Sequence, residues 1–220
     1  MSLSTSTASA NMAAAIRRLA GKARIRRPLV FVPSDTRGVR VQPSSSTVYL
    51  CEETLSALSP LAVEVVAAHE VGHLFECSRL WRHLLARKPV GLTVVAFVLA
   101  LLGNTSLAEV IGLAGLLALA WHVRVPTSLA DARSEVFADT FACAHVTDFN
   151  GWVRAVAEYR LALQTSPFDD VLAYRHAMLE IVCKENQMAR ILADGPEALA
   201  ALERTAAQTN RAAFARLGVS

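Results

Sequence analysis

Aromatic residues are scarce, since Phe, Trp and Tyr together make up 6% of the 220 residues. Charge is sparse as well, with Asp, Glu, Lys and Arg at 19%. Against 53% hydrophobic residues and a mean hydropathy of +0.35, the apolar excess is therefore aliphatic and alanine. That composition favours helices over an all-β fold and excludes disorder over most of the length. The length suits one substantial domain, or one domain plus a membrane element, and excludes a multidomain machine. The four cysteines, Cys51, Cys77, Cys143 and Cys183, form no CxxC pair, so the chain is not a small disulfide scaffold. Reduced thiols in an intracellular or cytosol-facing protein are expected. No acidic residue precedes Asp35, whereas Arg17, Arg18, Lys22, Arg24, Arg26 and Arg27 do. The net charge of +3 is thus a local excess, and no nucleic-acid partner is expected for the whole domain.

Residues 1–27 contain no apolar run long enough for the core of a secretory signal. They read as a mobile basic N-terminal segment, with an organelle transit peptide as the alternative. Residues 28–220 form the domain proper. Residues 29–33 (LVFVP) and 47–50 (TVYL) are β-prone runs separated by Ser, Asp, Gly and Pro, which suggests two strands of a small sheet. A helix is expected from Pro60, with Ser59 as its N-cap, and a second from about Leu129 to Val146. Two or three further helices follow, broken at Ser166-Pro167 and at Asp194-Gly195-Pro196. The fold class is mainly α with a small β-sheet, α+β.

His69-Glu70-Val71-Gly72-His73 is an HExxH motif inside the first of these helices. Histidines at i and i+4 project from one helical face and can reach one zinc ion, while the adjacent glutamate points at the ion's open side. A third ligand is needed, and Glu135 stands in the second helix with Asp139 one turn later. Such a pair has a use: the glutamate ligates zinc, and the aspartate hydrogen-bonds the outer nitrogen of a ligating histidine.

AAHEVGHLFE, followed by an apolar stretch and then RSEVFAD, resembles the membrane-associated gluzincin peptidases of the HtpX type and CAAX-prenyl-protease type. The approach to the motif is also similar to YugP-like zinc peptidases. The resemblance covers roughly residues 28–180. It implies a zincin-like core with an inserted hydrophobic helical hairpin at 90–121, one zinc per chain on His69, His73 and Glu135, and Glu70 as general base. The group usually begins with transmembrane segments, and none is read before Pro60. The His of its Thr-His-Pro-type motif is missing from Thr165-Ser166-Pro167, although Arg175 and His176 follow; structural roles are expected for these two and for Tyr174.

A single crossing by the hairpin would place His69 and Glu135 on opposite sides of a bilayer, so the zinc site allows only an even number of crossings or none. Arms of about 15 residues span only about 22 Å against a core of about 30 Å. A re-entrant hairpin or a soluble helical pair is therefore an alternative to two crossings. Membrane association through residues 90–121 is expected, with the active site facing the cytosol; a soluble cytoplasmic protein is the alternative. The expected function is a zinc-dependent endopeptidase acting on a peptide or protein substrate, including a membrane protein. A substrate in extended form would add to the edge strand at Thr47–Leu50, unless that strand is only scaffold. The competing readings are a catalytically inactive gluzincin-like membrane or regulatory protein that binds zinc or a partner, and a binding module that uses the basic arm.

Overall fold

A computed structural model describes residues 7–86, 109, 111, 127–165 and 169–217. Two compact units are distinguished, Met1–Cys77 with Ser128–Ser220, and Ser78–Thr127. In the second, the described residues are the end of a long helix, the helical positions Glu109 and Ile111, and Thr127; the hairpin expected at 90–121 otherwise lies outside the described residues.

The first unit opens with a helix, α1 (Thr7–Lys22). This corrects the expected mobile segment. Met12, Ile16, Leu19 and Ala20 recur at helical spacing and are buried, so the arm contributes an apolar stripe to the core. Two of its basic residues contact the domain: Arg18 pairs with Glu64, and the Arg17 guanidinium lies 4.6 Å from the centroid of the Phe31 ring.

Three strands follow where two were expected, β1 (Val30–Pro33), β2 (Val39–Gln42) and β3 (Thr47–Leu50). β3 is central, parallel to β1 and antiparallel to β2 in the order β1-β3-β2. Thr47–Leu50 is therefore not an edge strand. Its backbone is taken up on both sides, and the outer edges of the sheet belong to β1 and β2. The short α2 (Glu52–Ser56) leads into α3 (Pro60–Ala86). Ser59 caps α3 as expected, its Oγ accepting from the Ala62 N–H at 3.3 Å.

From residue 127 onward come α4 (Thr127–His145), α5 (Phe149–Leu163), α6 (Asp170–Lys184), α7 (Met188–Asp194), a 3-10 turn at Pro196–Ala198, α8 (Leu199–Thr209) and α9 (Arg211–Ala215). The C-terminal part is thus divided more finely than expected. Asp148 and Asp169 cap α5 and α6, accepting from Gly151 and Leu172 N–H groups at 2.7 Å each.

Two apolar clusters hold the unit together. One joins α1, the sheet, α3 and α5 through Ile16, Val48, Val65, Val71 and Trp152. The other joins α4 to α6–α9 through Phe137, Tyr174, Met178, Ile191 and Phe214. α4 belongs to both, since Phe141 and Ala142 pack in the first. Phe75 of α3 sits at the seam, its ring centroid 6.3 Å from Phe137 and 5.6 Å from Phe141. α3 and α4 pack tightly at Gly72, where an added Cβ would lie 2.7 Å from the Ala138 Cα.

The expected transmembrane helix is also corrected. Among the described residues no helix is long and apolar enough to cross a membrane. The longest of these, α3, spans 27 residues, but Glu64, Glu70 and Glu76 recur along it and would each carry a charge into hydrocarbon.

Candidate metal centre

The close approach of α3 and α4 brings the motif residues together. His69 Nε2 and His73 Nε2 are 3.1 Å apart. Glu135 places its Oε2 3.3 Å from His69 Nε2 and its Oε1 3.4 Å from His73 Nε2. A tetrahedral ion bound at about 2.0–2.1 Å keeps its ligand atoms about 3.3–3.4 Å apart. The three groups therefore converge on one point at the spacing of a first coordination sphere, and among the described residues they are the group able to hold a metal ion. The donor set, two imidazoles and a carboxylate, suits zinc and other borderline divalent ions.

The outer nitrogens are also placed. His69 Nδ1 donates to Asp139 Oδ1 at 2.8 Å, which leaves Nε2 facing the ligand point. His73 Nδ1 lies a long 3.4 Å from Ser134 Oγ, whose hydroxyl donates to Glu76 Oε2. Sequence reasoning found Asp139 and missed Ser134 and Glu76, although Ser134 is the neighbour of Glu135 and Glu76 lies one turn beyond Gly72.

Arg175 of α6 grips the same carboxylates. Its Nε and Nη2 bond the two oxygens of Asp139 at 2.7 and 2.8 Å, and its Nη1 lies 3.1 Å from Glu135 Oε2. Arg175 thus has a place in the centre, holding both carboxylates in register. Tyr174 and His176 point elsewhere. Tyr174 is buried with its hydroxyl on Glu203 at 2.6 Å, and His176 packs edge-on against Phe149 at 5.0 Å. Cys51 is a core residue, and His145 stacks on Phe141 with its Nδ1 on the Phe141 carbonyl at 2.9 Å.

Without an ion the centre is a dense charge cluster. Burial disfavours a charged His69, but the carboxylates of Asp139 and Glu135 outweigh it and raise the imidazole to about 10. Burial also opposes ionisation of Asp139, yet the Arg175 guanidinium and His69 hold it down at about 2. Glu135 is held well below the usual carboxylate range by both histidines and Arg175 against the same opposing effect of burial. Glu70 differs. Burial pushes it upward, against the pull of His69, His73 and the Val41 N–H, so unlike Asp139 and Glu135 it is biased towards taking a proton.

A cavity of about 450 Å³ opens on the centre. Its polar side carries Glu70 and Arg175, and its apolar walls are Val65 and Val66 of α3, Val39 and Val41 of β2, and Trp152, Val156 and Leu163 of α5. Glu70 is 7% exposed, and its Oε2 accepts from the Val41 N–H at 2.9 Å. The Tyr159 hydroxyl of α5 accepts from the Val39 N–H at 2.7 Å. Nothing at the level of sequence pointed to Tyr159, because the fold alone brings α5 to β2.

No family model, curated protein or solved structure matches this chain. The class supported by the described residues is a mainly helical α+β protein with one centre able to hold a metal.

Proposed function

We propose that the protein is a zinc-dependent endopeptidase, with His69, His73 and Glu135 holding the ion and Glu70 acting as general base and then general acid. The observation that carries this reading is the triangle of ligand atoms at 3.1–3.4 Å with an upward-shifted carboxylate on the same cavity. A purely structural metal site has no use for that carboxylate. Zinc in such a site lowers the pKa of water towards neutrality and polarises a carbonyl.

The chain's own residues supply the rest. Asp139 and Ser134 orient the imidazoles, and Arg175 keeps Asp139 and Glu135 ionised. Glu70 accepts the proton of the attacking water and passes it to the leaving amine, so one carboxylate serves both halves of the reaction. The apolar walls favour a substrate with an aliphatic or aromatic side chain next to the cleaved bond. Its extended backbone has β2, not β3, as the strand to lie along.

Elemental analysis of the purified full chain, with peptide hydrolysis measured in parallel, tests the reading. One zinc per chain in the wild type and in Glu70→Gln, strong loss of zinc in Glu135→Ala, and hydrolysis by the wild type alone are expected. Zinc in the wild type without hydrolysis of any unfolded protein substrate would favour the non-catalytic reading. Absence of zinc in all three proteins would refute the metal centre.

A further inference from the structure

The outer edge of β2 is occupied by the protein's own side chains. β2 pairs with β3 through its even-numbered residues, and the Gly38 carbonyl extends the ladder by accepting from the Cys51 N–H at 3.1 Å. The main-chain groups of Val39 and Val41 therefore face away from the sheet. The Val39 N–H donates to the Tyr159 hydroxyl oxygen at 2.7 Å, and that hydroxyl lies 3.4 Å from the Val39 carbonyl as its donor. Two positions along, the Val41 N–H donates to Glu70. A single oxygen that accepts from and donates to one residue does what a partner residue does in a hydrogen-bonded pair of an antiparallel ladder.

The seat for this phenol is built into the chain. Gly38 has φ +100, and a Cβ placed there would lie 2.8 Å from the Tyr159 hydroxyl and 3.0 Å from Leu163 Cδ2. Glycine both adopts that backbone and leaves room for the ring's tip. Tyr159 itself is only partly buried and lines the same cavity as Glu70.

We propose that Tyr159 stands in for a substrate main chain on β2, an internal competitor that an extended peptide displaces in order to pair antiparallel with Val39 and Val41. Taking a peptide as the ligand rests on the endopeptidase reading. Displacement at Val39 brings the next pair of the ladder to Val41, where the peptide carbonyl takes the N–H now bonded to Glu70. Substrate docking thereby releases the carboxylate that has to receive the proton. Tyr159 is a positioning residue in this scheme and takes no part in bond cleavage.

The test is anisotropy titration of a fluorescein-labelled extended octapeptide with apolar side chains, using the zinc-loaded full chain as wild type and as Tyr159→Phe, with hydrolysis of the same peptide followed alongside. Removing the hydroxyl frees both groups of Val39. At the usual net worth of one hydrogen bond, Kd and KM should fall about two- to tenfold with kcat within about twofold. N-methylating alternate peptide residues should cancel the gain, an effect that a structural role for Tyr159 would not produce. A Tyr159→Phe protein that binds as weakly as wild type or more weakly, or no binding by either protein up to millimolar peptide, would overturn the proposal. Tighter binding with no hydrolysis anywhere would leave Tyr159 as proposed and refute the endopeptidase reading; hydrolysis with unchanged KM does the opposite. Should the variant fail to fold, 3-fluorotyrosine-labelled wild type decides. The chain has 3 tyrosines, and saturating peptide is expected to shift the Tyr159 fluorine signal towards its solvent value, whereas a spectrum that does not change overturns the proposal.

Discussion

Two charged clusters draw on adjacent residues of α4 and α6 and yet are opposite in character. In one, Arg133 makes a two-pronged pair with Glu203 at 2.7 and 2.6 Å, and Tyr174 adds its hydroxyl to the same carboxylate. In the other, Glu135 and Asp139 meet Arg175 and the two histidines. The first is closed around its carboxylate, with the Glu203 side chain 4% exposed. The second opens on a cavity, with the Glu135 side chain 32% exposed and the inner nitrogens of both histidines directed at one point. Charges that satisfy one another hold helices in place, whereas ligand atoms that converge on one point beside a cavity are able to hold an ion.

Breaking each cluster should therefore move a different observable. The largest effect is expected on chemistry: Glu70→Gln should lower peptide hydrolysis by about 10²–10⁴-fold with zinc content unchanged, as a steady-state assay on zinc-loaded protein will show. Next, Glu203→Ala strands Arg133 and should cost about 3 kcal/mol in urea unfolding, while zinc per folded chain stays at the wild-type value. A loss of zinc without a loss of stability would reverse the assignment of the two clusters. Asp139→Asn should weaken zinc binding by about 10–100-fold in a chelator competition titration, because it loosens His69 and leaves Arg175 half-satisfied. Gly72→Ala should cost about 2 kcal/mol and lower zinc affinity together, since the added methyl has to push α4 away from α3.

A further effect is one of pH. In the zinc-free protein His69 titrates at about 10 against about 6.5 in an unfolded chain. Its contribution to stability is thus fully present below about 6.5 and is lost as pH rises through about 10. The folded state holds the extra proton in that window, so zinc-free stability should decline with rising pH. Zinc has to displace the same proton, so its affinity should rise over the same window. Calorimetry at pH 7.5 in two buffers of different ionisation heat should report a proton released per zinc, and no buffer dependence would contradict a protonated His69.

Much of the centre was legible in the sequence because its geometry is helical. His69 and His73 share a face by their spacing alone, and Glu135 and Asp139 do so by theirs. The N-cap at Ser59 and the break at Gly195-Pro196 were equally local. Other features left only faint marks. The Met12, Ile16, Leu19 stripe is helical in period, but it lies among basic and small residues that read as a tail. Val39 and Val41 alternate for too few residues to announce a strand, and so β3 was taken for an edge. A long apolar stretch read as a membrane element, yet no helix among the described residues meets that requirement.

What the sequence determined by itself is the set of groups that one helical face can present: two imidazoles a turn apart with a carboxylate beside them, and a second pair of carboxylates a turn apart. Tertiary structure decided which of these groups meet. Gly72 lets α3 and α4 approach until the ligand atoms converge, α6 delivers Arg175 rather than Tyr174 or His176 to the carboxylates, and Gly38 gives the Tyr159 hydroxyl its seat on β2. Local periodicity follows from bond geometry within a few residues, whereas convergence depends on the packing of helices far apart in the chain, which no short stretch of sequence encodes.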